Sequence, residues 1–150
     1  MKNFNTGDLF TFNDETFFIH SLFMNKEDLK IFIISNRKKQ LLLYSTEKDF
    51  SKILEYNLKI SSININIPEL YEINEDLGYM VCRFPDGEKL DLLLQRNENI
   101  PGIKEKLEEI KVIAAKENMC LNFSESNLLI SRNDIYLLDF TEQKINKKTT

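Results

Sequence analysis

Cys120-Leu121-Asn122-Phe123-Ser124-Glu125-Ser126-Asn127-Leu128-Leu129-Ile130, followed by Ile135-Tyr136-Leu137-Leu138-Asp139-Phe140, is the stretch that most constrains the fold. Its two apolar runs, 128–130 and 135–138, read as short strands or extended pieces separated by a polar break. Asn127 opens the first run and Asp139 closes the second.

Upstream lies a helical pattern. Pro101 fits the first turn of a helix. Ile103, Leu107, Ile110, Ile113 and Ala114 mark its buried stripe, and Lys104, Glu105, Glu108 and Lys111 its wet face. Leu90 to Leu94 begins a shorter helix after the breaker Pro85-Asp86-Gly87. Residues 68–73 and 78–84 read as strands around the polar turn Asn74-Glu75-Asp76-Leu77, hence a hairpin. Residues 59–67, where Ile63, Ile65 and Ile67 alternate with short polar residues, read as a connector or a short strand before them. In 46–58 Phe50, Ile53, Leu54 and Leu58 recur at helical spacing. Thr46 is the expected cap, with Asp49 near the positive helix end. Residues 9–13, 16–24, 29–35 and 40–44 are strand candidates, the first two separated by the turn pair Asn13-Asp14. The order is strands, helix, hairpin, helix, hairpin. This predicts an α+β fold.

A chain of 150 residues is one ordinary domain, large enough to bury roughly 70% of its unfolded surface. With 42% hydrophobic and 29% charged residues, a packed core is expected rather than disorder. No apolar run is long enough to span a bilayer, and Met1-Lys2-Asn3-Phe4-Asn5 lacks the apolar stretch of a signal peptide. The expectation is a cytoplasmic protein with no membrane partner. A net charge of -4 with both signs interspersed argues against nucleic acid as a partner. The small basic group Lys144, Lys147 and Lys148 reads as a solvated tail. Cys82 and Cys120 fit no zinc or redox spacing and read as buried thiols. His20, the single histidine, has no companion with which to bind a transition metal.

The segment 120–140 resembles the catalytic loop and metal-binding strand of protein kinases and related small-molecule kinases. In that family a loop Asp is followed five residues later by an Asn and an apolar triplet, and an Asp-Phe pair then closes an apolar strand. Asn127 takes the Asn position and Asp139 the metal-binding Asp position. The resemblance implies that Asn127 and Asp139 would hold Mg²⁺ from one side of a nucleotide's phosphates. It extends over roughly residues 15–141. Gly78 to Phe84 looks like the last strand of the upper lobe and its hinge, so backbone groups of Cys82, Arg83 and Phe84 would face an adenine ring. Glu55 matches the helix glutamate that pairs with a strand lysine. The implied fold is an N-lobe antiparallel sheet with one helix at about 7–84, the helix near 46–58. A hinge and a minimal, truncated C-lobe at about 85–141 follow, then a tail at 142–150.

The departures from the family change the implied function. Asn122 stands at the catalytic Asp position, and an amide cannot accept a proton as a carboxylate does. Cys120-Leu121 replace the His-Arg pair and Ser124 the loop lysine. Tyr44 sits where the phosphate-binding lysine is expected, with Lys38 and Lys39 in the turn before it. Met24 to Asp28, where a glycine-rich loop should fall, has no glycine to bring backbone N–H groups onto phosphates. Thr141 follows Asp139-Phe140 in place of Gly. The chain ends at Thr150, so the activation segment and large helical lobe are expected to be missing and a partner or second copy to cover the face they leave.

The leading expectation is a catalytically inactive, pseudokinase-like module that works by binding a protein partner or by self-association. A minimal atypical phosphotransferase using ATP and Mg²⁺ is the runner-up. A small adaptor or chaperone-like protein unrelated to kinases is the third. The Phe cluster at Phe10, Phe12, Phe17, Phe18 and Phe23 reads as strand core, part of which could be an exposed binding surface.

Overall fold

The computed structural model of the protein describes residues 3–141. The basic group at Lys144, Lys147 and Lys148 lies outside the described residues. The fold is mixed α and β. Its contacts divide it into two compact units, one from the described residues up to Phe50 with Glu69–Phe84, the other from Ser51–Pro68 with the chain from Pro85 onward.

The first unit is an antiparallel sheet of six strands: β1 (Leu9–Phe12), β2 (Glu15–Asn25), β3 (Leu29–Ser35), β4 (Gln40–Thr46), β5 (Leu70–Asn74) and β6 (Tyr79–Arg83). They lie in the order β1-β2-β3-β4-β6-β5. Local chemistry sets the turns. Asn13 and Asp14 both take positive φ, 54° and 62°, which matches the twist a two-residue hairpin loop requires. In the β3–β4 turn Asn36 Oδ1 accepts the N–H groups of Lys38 and Lys39 at 2.8 and 3.0 Å. Lys39 then reaches Glu15 at 2.7 Å. That hydrogen bond, more than any other influence, holds the Glu15 carboxyl below its usual range.

One face of the sheet buries Phe10, Phe17, Ile19, Phe32, Ile34, Leu41, Leu43, Tyr79 and Val81 around Phe4. The sheet curls around this core. Phe12 of β1 and Tyr71 of β5, from opposite ends of the strand order, stack with centroids 6.3 Å apart. Phe4 meets Phe10, Phe32 and Tyr79 edge to face. The phenylalanines read as strand core divide. Phe10 and Phe17 are buried and Phe12 and Phe23 half-buried, whereas Phe18 is 59% exposed and faces Leu9, 64% exposed, across the β1–β2 pair.

The second unit contains most of α1 (Phe50–Ser62). The sequence predicts this helix over 46–58, capped by Thr46; it starts and ends four residues later. Thr46 is the last residue of β4, where its hydroxyl donates to Asp28 O at 2.8 Å and accepts from Lys48 N at 3.1 Å. That hydroxyl closes the strand and turn instead of capping the helix. The buried stripe is also different. Phe50, Ile53 and Ile60 are buried, while Leu54 and Leu58 are 42% and 71% exposed.

The rest of this unit holds β7 (Glu88–Lys89), α2 (Leu90–Gln95), α3 (Ile103–Lys116), β8 (Leu128–Ser131) and β9 (Asp134–Leu137). The three strands form a small sheet in the order β7-β8-β9. Arg132 and Asn133, at φ 51° and 66°, turn β8 into β9. Ile103 and Ala114 of α3 are buried, and Leu107, Ile110 and Ile113 half-buried, so the helix turns its predicted stripe inward. Asn66, in the connector after α1, bridges to Tyr136, and its carbonyl accepts the Leu137 N–H at 2.9 Å.

Candidate functional site

The β8–β9 register pairs Leu128 with Leu137. This places Asn127, just before β8, beside the residues that follow β9. Leu128, Leu129 and Leu138 are 0% exposed, so the core fixes both segments. A 3-10 turn at Glu125–Asn127 brings the loop into β8. Asn122 helps shape it by accepting the Ser124 N–H on Oδ1 at 3.0 Å.

Asn127 and Asp139 meet. The Asp139 N–H donates to Asn127 Oδ1 at 2.7 Å, and Asn127 Nδ2 donates to Asn122 O at 2.8 Å and to Asp139 O at 3.3 Å. Asn127 O accepts the Leu138 N–H at 2.9 Å. The Asp139 carboxylate turns to Thr141, whose N–H and Oγ1 donate to Oδ1 at 2.9 and 2.6 Å. Asn127 is 0%, Asp139 1% and Thr141 4% exposed. Such burial disfavours a polar group unless its hydrogen bonds are made, and here they are made within the chain.

These groups do not fit a Mg²⁺ ion as they stand. Mg²⁺ demands near-octahedral geometry and keeps several of its waters. Asn127 Oδ1 is already taken by the Asp139 N–H, Asp139 Oδ1 carries two donors, and both residues are shut off from solvent. Among the described residues no group of three or more His, Cys, Asp or Glu is placed to hold a metal ion. Asn122, at the catalytic position the resemblance implies, shapes its own loop.

The other residues singled out from the sequence fall in different places. Cys82 is in the middle of β6, paired with Leu42 on one side and Leu70 on the other. Burial pushes its thiol pKa far up, which makes it an inert core thiol. Cys120 is only half-buried. Arg83 is exposed, and its N–H donates to Glu69 O at 2.8 Å. Phe84 is half-buried, edge to face with Phe23 at 5.9 Å. Glu55 is exposed on α1 and makes no ion pair among the described residues. Tyr44, at the position of the expected lysine, is 0% exposed within β4. His20 is exposed on β2 beside the Ser21 hydroxyl. Cys82, Arg83 and Phe84 belong to the first unit; Glu55, Asn122, Asn127 and Asp139 belong to the second.

Two participants were not singled out as such from the sequence. Thr141 registers there only as a departure from glycine, although a hydroxyl residue two positions after an Asp is a local signal for an Asx-type turn. Asn66 gives no signal, because its part depends on a backbone carbonyl. No helix among the described residues is long and apolar enough to cross a membrane. No protein-family model matches the chain, and no curated protein matches it.

Proposed function

We propose that this chain is a protein-kinase-like module, acting in the cytoplasm, that does not transfer phosphate and works by holding a protein partner or a second copy of itself. The observation that carries the reading is the commitment of Asn122, Asn127 and Asp139 to internal hydrogen bonds at the positions where phosphoryl-transfer chemistry would lie. Phosphoryl transfer depends on positioned charge: metal ions, a phosphate-binding cation and a base for the nucleophile. Here an amide stands for the base and a buried tyrosine for the cation. The order of elements supports the kinship. Strands, a helix, the β5–β6 pair, the short β7, two helices, a loop and the β8–β9 hairpin just before Asp139-Phe140 run in the order the resemblance implies, while most of α1 groups with the second unit and not with the six-stranded sheet.

The direct test is incubation of the full chain with γ-labelled ATP and Mg²⁺, with Asp139→Ala as control. The expected result is no label transfer above that control, to the chain itself or to added substrate. Transfer by the wild type that disappears in Asp139→Ala would overturn the reading in favour of a minimal phosphotransferase.

Partner binding is supported by exposed apolar groups. Leu9 and Phe18 form an apolar pair facing solvent on β1 and β2. Neighbouring exposed apolar side chains are a feature of binding surfaces when the patch is large enough. In sedimentation experiments the wild type is expected to show a concentration-dependent mass above that of the monomer. Phe18→Ser should reduce that mass without lowering the melting temperature, since the ring is mostly exposed. Identical behaviour of the two proteins would remove this patch as the surface.

A further inference from the structure

The Asp139 carboxylate is almost wholly buried and takes two donors from a residue only two positions away. Thr141 supplies both its N–H, at 2.9 Å, and its hydroxyl, at 2.6 Å, to the same oxygen. The second distance is in the range of charge-assisted O–H to carboxylate bonds, which are the stronger kind. On the other side of the cluster, the side chain of Asn127 spends its acceptor on the Asp139 N–H and its donors on two carbonyls. Among the described residues no buried side-chain nitrogen or oxygen lacks a partner. A site built to receive a cation is different: it orients carboxylate oxygens toward open space, and the hydrogen bonds behind them leave the ligand face clear.

We propose that Thr141 is an internal substitute for a cation: its N–H and O–H latch the Asp139 carboxylate, so that the segment after β9 neither needs nor takes Mg²⁺. The proposal rests on the reading that the chain does not transfer phosphate, and it deepens that reading by naming a residue that holds the Asp139 carboxylate. The chemistry assigns the hydroxyl a particular role. Serine at this position would keep both donors. Valine has nearly the shape of threonine but keeps only the N–H. Glycine, the residue the family pattern places here, would also supply only the N–H. Thr141 thus acts as a positioning residue, through Asp139, on the segment that Asn127 holds from the other side.

The test is thermal melting of the full chain as wild type, Thr141→Ser and Thr141→Val, each in EDTA and in millimolar MgCl₂. The wild-type midpoint is expected to be the same in both buffers. Thr141→Ser should melt close to wild type, and Thr141→Val about 4 °C lower or more, because a buried carboxylate loses one of its donors. Mg²⁺ should restore none of that loss. Amide hydrogen exchange on the wild type provides a readout that does not depend on the valine variant folding. The N–H groups of Asp139 and Thr141 should be protected equally with and without Mg²⁺. A Mg²⁺-dependent rise in the wild-type midpoint, a Mg²⁺-dependent change in that protection, or a valine variant that melts with wild type would each overturn the latch. A Mg²⁺ shift without label transfer from ATP overturns the latch alone. Label transfer overturns the functional reading first, and the serine and valine melting curves then decide the latch separately.

Discussion

Gly87→Ala is expected to destabilise the protein by about 3 kcal/mol or more, the upper part of the range for forcing an extra carbon into a packed site. The reason is backbone crowding. A Cβ on Gly87 would overlap the Ile130 carbonyl oxygen, lie 2.9 Å from the carbonyl carbon and 3.1 Å from Leu129 Cδ2. The first two are main-chain atoms and cannot rotate away. Ile130 is paired on both sides, with Glu88 of β7 and Ile135 of β9. Relief therefore requires β7 to leave β8, which also pulls on the Ser131 hydroxyl that donates to Asp86 O at 2.6 Å. In a chain of this size the loss corresponds to a melting temperature lower by about 6–12 °C. Asp86→Ala is the control, because the Asp86 side chain is exposed and only its carbonyl is used. A Gly87→Ala protein that melts with that control would mean that β7 does not approach β8 so closely.

Why a glycine must stand just before β7 is not legible from Pro85-Asp86-Gly87 alone. The triplet announces a break, and the break is there, but the close contact comes from Ile130, far along the chain. Elements whose apolar runs are continuous were easier to place. The run 29–35 is the strand β3 to the residue, and 128–130 and 135–138 match β8 (Leu128–Ser131) and β9 (Asp134–Leu137) to within one residue at either end. The first helix was harder because two apolar stripes compete in it. The spacing of Phe50, Ile53, Leu54 and Leu58 is helical, yet the helix buries the Phe50–Ile53–Ile60 side and leaves Leu54 and Leu58 outside. Periodicity gives the spacing of a stripe, while the direction of the core decides which stripe is buried. The helix starts four residues after Thr46 for a chemical reason, since a threonine hydroxyl can close a strand as well as cap a helix. The curl of the sheet, sealed by Phe12 on Tyr71, joins the two ends of the strand order and has no local signature.

The site divides in the same way. The adjacency of Asn127 and Asp139 follows from a tight hairpin whose arms are short apolar strands, so sequence spacing was enough to place the two groups together. The use each group makes of its polar atoms was not legible. An asparagine at this position could turn its oxygen toward an ion or toward the Asp139 N–H with the same backbone. Only the direction of the hydrogen bonds separates these: the Asp139 N–H on Oδ1 and the carbonyls of Asn122 and Asp139 on Nδ2 fix the amide, while Thr141 holds the Asp139 carboxylate.

That distinction makes Asn127 the most informative position in the chain. Asn127→Ala is expected to lower stability by about 3–5 kcal/mol, because it strips a buried N–H on Asp139 and a carbonyl on Asn122 of their partners and leaves a small void. The melting temperature should fall by about 10 °C or more. Asn127→Asp sharpens the test. Its shape is nearly unchanged, but the ionised side chain has no N–H to give, so a negative oxygen would face the carbonyls of Asn122 and Asp139, near a second buried carboxylate. If the pair served a divalent cation, the added negative charge would tighten the site and Mg²⁺ would restore the folded state. If the amide is a brace, both variants melt far below wild type and millimolar Mg²⁺ returns neither. Melting curves of the two variants in EDTA and in Mg²⁺ decide between these outcomes. Recovery of Asn127→Asp by Mg²⁺ would refute the brace and restore the metal pair to the chemistry that the resemblance implies.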